Sequence, residues 1–275
     1  SAWPSHFFVG VPRRRDADST LGPRYPGDET EFPKVDQPAL RWNISDPNRT
    51  IEWVVSPLVP VKYQQTVKDA IESWNKLLGR KVLVARMANP GETYDDDDKN
   101  YLVYDGDPSC GAAFANWRAN PLTGEFRGAS VYMNAIWFQG ADSIEKNPFP
   151  GLAKAPMENQ KVRKPTPRLG WIGMTQPLGC ELWAEDVLAA MGNDDTLNNL
   201  TGTEQAQRYI FNTVSHEVGH TLGLRHNFKG SLAATANTAD GGSSVMEYQT
   251  ARQGIAGPGP GVYDQAAIDL LYKLK

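Results

Sequence analysis

The chain has 275 residues, of which 40% are hydrophobic and 22% charged, and its formal net charge is −4. This balance is typical of a soluble globular protein, and the small acidic charge gives no indication of nucleic-acid binding. No stretch approaches the roughly 18 consecutive apolar residues that span a membrane, and the two cysteines, Cys110 and Cys180, permit one disulfide or two free thiols.

Residues 1–48 differ from the rest of the chain, because they are rich in proline and carry no sustained hydrophobic periodicity. We predict an extended N-terminal arm, or the remnant of a pro-segment, over this range. The first residues show no charged leader followed by an apolar run. If the protein is secreted, we therefore expect its signal peptide to be absent from this chain.

Regular structure is predicted to begin just after this arm. The β-branched and aromatic run at 50–56 predicts a strand, and apolar residues at helical spacing predict a helix over 63–78, ended by Gly79. The order of one strand, one helix and further strands is typical of an α/β layer with a right-handed crossover. The remaining strands are predicted over 82–87, 101–104, 112–117 and 129–138.

The second half of the chain begins with a long irregular insertion, predicted at about 139–180 from its Pro, Gly and Lys content. A short helix is predicted over 181–191. A longer helix is predicted from an N-cap at Thr203 to about Leu222, with Gly223 at its end. An amphipathic helix over 264–274 closes the chain.

The segment from His216 to His226 carries the strongest functional pattern. His216 and His220 are four residues apart and share a helix face, as two ligands of a tetrahedral zinc site do. His226 reaches the same point only if the backbone turns back at Gly223, where glycine accepts a positive φ. Glu217 can face the same cleft and accept a proton from water. Three of the four histidines of the chain lie in these eleven residues, so the sequence predicts a zinc hydrolase.

The spacing H-E-x-x-H-x-x-G-x-x-H is the signature of the metzincin clan, and a second segment, Ser244-Val245-Met246-Glu247-Tyr248, resembles that clan's methionine turn. The resemblance implies that Met246 forms a hydrophobic floor beneath the three imidazoles without binding zinc. It also implies that Tyr248 stabilises the oxyanion, as the corresponding tyrosine does in astacin-like and serralysin-like members.

The resemblance further implies an α/β (α+β) metzincin fold with a twisted, mostly parallel five-stranded sheet and two long helices. Residues 49–223 would form the N-terminal catalytic subdomain, and 224–275 a small C-terminal subdomain with the methionine turn and the terminal helix. A peptide substrate would bind extended along the edge strand of the sheet, for which 112–117 is the candidate.

Asn227, which follows the third histidine, separates the chain from the best-known branches of the clan, where Glu, Pro, Asp or Ser stands there. Residues 221–228 are instead similar to a less characterised group of bacterial zinc-dependent metalloproteases, and the resemblance extends over about 50–275. Toxin-associated members share parts of the pattern, which suggests a virulence role and toxin partner subunits.

The function predicted from the resemblance is a secreted zinc endopeptidase with one catalytic Zn²⁺ and Glu217 as general base. The alternative is a non-catalytic binding or toxin-delivery module, although such a module has no need of Glu217. A third hypothesis is a zinc hydrolase that acts on a non-peptide amide, although the combined motif is associated with proteolysis. A disulfide between Cys110 and Cys180 is predicted if the protein is secreted. Calcium is a further candidate ligand, at the Asp-rich segments 95–98 and 193–195, but neither has the spacing of a known calcium loop.

Overall fold

A computed structural model of the chain describes residues 39–94, 99–120, 122–149, 181–183, 197, 199–227 and 244–273. Several predictions lie outside these residues, namely those for the arm before residue 39, the two Asp-rich segments and the insertion after residue 149. Cys110 is exposed and free, while Cys180 is not among the described residues, so the disulfide between them stays a prediction. Within the described residues no helix is both long and apolar enough to cross a membrane.

The centre of the fold is a mixed sheet with the strand order β2-β1-β3-β5-β4-β6. The strands β1, β2, β3 and β5 run parallel to one another, whereas β4 is antiparallel to both β5 and β6. The predicted five-stranded, mostly parallel sheet is therefore confirmed, and a short sixth strand extends it. The bounds are β1 Ile51–Val55, β2 Leu83–Met87, β3 Asn100–Asp105, β4 Ala112–Ala119, β5 Phe126–Asn134 and β6 Glu181–Trp183.

The helices predicted over 63–78, 203–222 and 264–274 are present with differences at their ends, and two further helices, over 135–146 and 251–256, were not predicted. The helix predicted over 63–78 is interrupted at Ser73 and Trp74, and the helix carrying the histidines starts from Thr201 and not Thr203. Thr201 forms a capping box with Glu204, which satisfies donors that a helix start leaves unpaired. The bounds are α1 Val61–Glu72, α2 Asn75–Leu78, α3 Ala135–Lys146, α4 Gly202–Thr221, α5 Ala251–Ala256 and α6 Val262–Ile268, followed by a π-helical turn Asp269–Lys273.

Three predictions in the middle of the chain are wrong. The strand predicted to reach residue 138 ends at Asn134, because the Asn134 side chain accepts a hydrogen bond from the Ile136 N–H (3.1 Å) and starts α3. Residues 139–146, predicted as the start of the irregular insertion, therefore belong to α3. Residues 181–183, predicted as the start of a helix, form β6 on the outer side of β4.

The end of α4 is held by two segments that are far apart in the chain. The Trp42 indole N–H donates to the Thr221 carbonyl (2.8 Å), and the Tyr272 hydroxyl donates to the Leu222 carbonyl (2.7 Å). These are carbonyls that a helix leaves without an intrahelical partner. Trp42 is buried, so this part of the predicted arm is a packed element of the fold. The predicted division into subdomains at residue 223 is not tested by these contacts and stays a prediction.

Candidate metal centre

Helix α4 is anchored on the side away from solvent, and this fixes the direction of its functional side chains. Its apolar residues Ile210, Val214 and Val218 are fully buried, and the helix packs against α1, α3 and β4. The Trp74 indole N–H donates to the Ser215 carbonyl (3.1 Å) one residue before His216. This packing fixes the rotation of α4 about its own axis, and the rotation determines the direction in which His216 and His220 point.

The structure brings His216, His220 and His226 together. The Nε2 atom of His216 lies 3.2 Å from Nε2 of His220 and 3.2 Å from Nε2 of His226, and the candidate ligand atoms of all three lie within 4.8 Å of one another. Zinc–nitrogen bonds of about 2.0–2.1 Å at tetrahedral angles separate two ligand nitrogens by about 3.3 Å. The three imidazoles therefore have the spacing of a zinc site.

The hydrogen bonds of the imidazoles fix which nitrogen carries the proton. His216 Nδ1 lies 2.6 Å from the Val245 carbonyl and His220 Nδ1 lies 2.9 Å from the Leu224 carbonyl. A carbonyl only accepts, so each of these two Nδ1 atoms donates and the unprotonated nitrogen of each ring is Nε2. The Nε2 lone pairs of His216 and His220 face each other at 3.2 Å and repel unless a cation lies between them, so this arrangement fits a metal ion.

The same imidazoles are held in their neutral form. Burial lowers the pKa of His216 well below its usual value, and the neighbouring His220 lowers it further. Burial also lowers the pKa of His220 to about 3 and that of His226 to about 4. Neutral imidazole is the form that ligates a metal, so at neutral pH protons do not compete for this site.

Gly223 makes the turn that returns His226 to the other two histidines. Its φ is 95°, a value at which a residue with a Cβ is strained. The Leu224 N–H donates back to the Gly219 carbonyl (3.2 Å), which closes the helix end. The turn predicted at this glycine is present.

Glu217 lies next to His216 on α4, and its carboxylate is fully buried. Neither of its oxygens has a hydrogen-bond partner among the described residues, and burial raises the pKa of Glu217 well above its usual value. A buried carboxylate without partners is costly. A carboxyl group with a strongly raised pKa that adjoins a candidate metal ligand in the chain is a candidate catalytic acid or base.

Met246 packs under α4. A Cβ built on Gly219 would lie 2.2 Å from Met246 Sδ and 2.7 Å from the Trp74 ring, so the glycine lets the methionine approach the helix between His216 and His220. Tyr248 lies on the other side, 52% exposed, with its ring centroid 4.3 Å from that of His226. The roles that the resemblance implies for these two residues stay predictions.

Sequence reasoning missed the residue that holds the methionine turn. Asp264, at the start of α6, is fully buried and accepts a hydrogen bond from the Ser244 hydroxyl (2.6 Å) and one from the Val245 N–H (2.8 Å). An acidic residue in the first turn of a helix normally indicates a cap. No pattern in the sequence shows that this one is buried against a segment twenty residues away.

An open pocket with about 340 Å³ of empty space borders His216. One wall is the face of α4 that carries Asn212 and Thr213, and the opposite wall is the chain from Glu247 to Gly254. Trp137 and Tyr209 also line the pocket, and their indole N–H and hydroxyl are buried without a hydrogen-bond partner among the described residues. The metal centre therefore adjoins an open pocket.

The last part of the chain is similar to a known protein family. Residues 198–274 match the family model described as Met-zincin, and this segment contains α4, the three histidines and the methionine turn. The mixed α/β architecture is consistent with a metzincin-like fold, which is a zinc metalloprotease type of fold. No curated protein and no solved structure matches the chain.

Proposed function

We propose that this chain is a zinc-dependent endopeptidase of the Met-zincin type whose metal is held by His216, His220 and His226. One observation carries the proposal: the imidazoles of three histidines bring their ligand nitrogens to one point, and the residue that follows His216, Glu217, has a buried carboxylate without a partner among the described residues. A structural zinc site is closed by a fourth protein ligand, whereas a catalytic site leaves a position open. Three ligands next to a pocket fit the catalytic kind.

Glu217 and Tyr248 have separate roles in the proposed hydrolysis of a peptide bond. Zinc, when bound, supplies a Lewis acid that polarises the scissile carbonyl and lowers the pKa of water. Glu217 takes a proton from the attacking water and returns it to the leaving amine. Tyr248, beside His226, donates its hydroxyl to the carbonyl oxygen as that atom gains charge.

We infer that the substrate binds extended along the outer side of β4. The strand β6 covers only Ala112–Phe114 of that side, and among the described residues no other strand pairs there. This corrects the prediction that 112–117 is a free edge, and it leaves the later part of β4 open to main-chain hydrogen bonds.

The alternative, a binding module without activity, is disfavoured by the state of Glu217. Burying a carboxylate without partners lowers stability, and a binding module gains nothing in exchange. Secretion, a bacterial origin and a toxin partner remain predictions of the resemblance alone.

The test is the Glu217→Gln variant, assayed on casein and on quenched peptides, with zinc content measured on the same samples. We expect activity to fall by a factor on the order of 10² to 10⁴, with about one zinc per chain retained. The variant should unfold at the same denaturant concentration as the wild type or at a higher one, because a neutral amide lowers the cost of burial.

A chelator should abolish the wild-type activity, and added zinc should restore it. A wild-type protein that binds zinc but cleaves no peptide of a broad library would contradict the proposed function. A Glu217→Gln variant that keeps full activity would contradict the role of the carboxylate.

A further inference from the structure

A chain of three hydrogen-bonded groups leads from Asp264 to the metal centre. The Asp264 carboxylate accepts from the Val245 N–H (2.8 Å). The carbonyl of the same residue, Val245, accepts from His216 Nδ1 (2.6 Å). The other nitrogen of that imidazole, Nε2, points to the proposed zinc position. Asp264 is therefore linked to a metal ligand through Val245.

The Asp264 carboxylate is held from several sides. Its Oδ2 also accepts from the Gly261 N–H (2.7 Å), and its Oδ1 accepts from the Ser244 hydroxyl (2.6 Å). The Ser244 oxygen accepts in turn from the Met246 N–H (3.0 Å). The carboxylate therefore fixes Ser244, Val245 and the start of α6 relative to one another.

Removing a charge from water is costly unless the charge is paired or well hydrogen-bonded. Asp264 is fully buried, and burial raises its pKa while the hydrogen bonds from Ser244, Gly261 and Val245 oppose that rise. Simple capping of α6 needs only an exposed side chain. Because this carboxylate is buried against the methionine turn, we expect it to have a role at the metal centre in addition to capping α6.

We propose that Asp264 is a positioning residue for zinc binding, which orients the His216 imidazole through Val245. The role rests on the proposed function, because it requires that His216 binds zinc. Groups that orient a metal-bound histidine from outside the ligand set change metal affinity by about 10- to 100-fold when they are removed.

The test compares zinc affinity in the full chain, measured by competition with a chromophoric chelator. Asp264→Ala should weaken zinc binding by about 10- to 100-fold. Asp264→Asn should lose less than about tenfold, because its amide oxygen can accept from Val245 and Gly261 while its N–H₂ donates to the Ser244 oxygen. The visible spectrum of the Co²⁺-loaded protein, which reports ligand geometry, should change in the alanine variant.

A matched control separates positioning from general stability. Asn100 is another buried polar residue; its amide donates to the Glu52 carbonyl (2.8 Å) and accepts from the Ala129 N–H (2.8 Å) within the sheet. Asn100→Ala should lower the free energy of unfolding and leave the zinc affinity and the Co²⁺ spectrum unchanged. If Asp264→Ala does not fold, Ser244→Ala should show a zinc loss in the same direction.

The outcomes are distinct. Zinc affinities of the Asp264 and Ser244 variants equal to that of the wild type would overturn the positioning role and leave the proposed function intact. An equal loss in Asn100→Ala and Asp264→Ala, or in the asparagine and alanine variants of Asp264, would also overturn it. A wild-type chain that binds no zinc would contradict the proposed function itself, and the positioning role with it.

Discussion

Glu217 and its histidine neighbours lie in an environment that disfavours charge. Burial lowers the pKa of the three imidazoles and raises that of Glu217. Both directions follow from the cost of moving an ionised group out of water. Each imidazole is thereby kept in the state that accepts a metal.

Tyr248 is a residue whose replacement should separate catalysis from stability. Its side chain is 52% exposed, so Tyr248→Phe should change the free energy of unfolding by no more than about 0.5 kcal/mol. If the hydroxyl stabilises the oxyanion, kcat should fall by a factor on the order of 10² to 10³ with little change in KM. Steady-state kinetics on a quenched peptide measures both values.

Tyr94 offers a matched control for this substitution, because it is another half-exposed tyrosine, 49% exposed, and contacts Tyr101 and not the histidines. Tyr94→Phe should leave kcat unchanged. An unchanged kcat in Tyr248→Phe would show that the hydroxyl takes no part in the reaction.

The ligands could be predicted from the sequence because their spacing is local. His216 and His220 share a face through helix geometry alone, and Gly223 marks the turn for the third ligand. Asp264 could not be predicted in this way. Its position beside Val245 depends on how α6 packs against the methionine turn, and no short-range pattern encodes that contact.

At the level of elements, the contact between α4 and the methionine turn depends on Gly219. Gly219→Ala places a methyl group 2.2 Å from Met246 Sδ and 2.7 Å from the buried Trp74 ring. The overpacking should cost about 1–3 kcal/mol, which outweighs the gain of about 1 kcal/mol that alanine brings to a helix. We expect a lower free energy of unfolding in urea and weaker zinc binding.

Gly140 provides the matched control within α3. A Cβ at this position meets nothing closer than 3.6 Å, so Gly140→Ala should keep the helix-propensity gain and stabilise the protein by up to about 1 kcal/mol. Equal effects of the two substitutions would contradict the tight contact at Gly219.

Element type was harder to predict where local preference and tertiary contact compete. Residues 135–138 carry apolar and aromatic side chains that suit either a strand or a helix, and the Asn134 cap selects the helix. Residues 181–183 form a strand because β4 offers them a partner. Strand pairing between distant segments cannot be seen in a single short window.

On the scale of the whole molecule, three helices are joined by charged and polar groups. Lys62 on α1 binds Glu145 on α3 (2.6 Å), and the Thr203 hydroxyl on α4 donates to the same carboxylate (2.9 Å). The Lys62 and Thr203 hydrogen bonds lower the pKa of Glu145 from its usual value of 4.5. The contribution of Glu145 to stability is therefore present above pH 4.5 and is lost as the pH falls below it.

Glu145→Gln should make acid unfolding less steep, because the variant has no carboxylate to protonate in that range. Unfolding midpoints in urea between pH 3 and 6 measure the difference, which should be largest at pH 6 and shrink toward pH 3. Lys62→Met should reduce the pH dependence as well. A wild-type to variant difference that does not change with pH would contradict this role.

The segments that hold the end of α4 bring distant parts of the sequence next to each other. The backbone nitrogen of Trp42 lies 3.4 Å from the Tyr272 hydroxyl oxygen, and the Arg41 guanidinium donates to the Leu271 carbonyl. A short linker could therefore join residue 273 to residue 39, with new ends at the exposed residues 106–110. In such a circular permutant, Trp42 and Tyr272, which both bond to the end of α4, would lie in one continuous segment of chain. The strands would then follow one another in a different order along the sequence, and the three histidines would keep their positions.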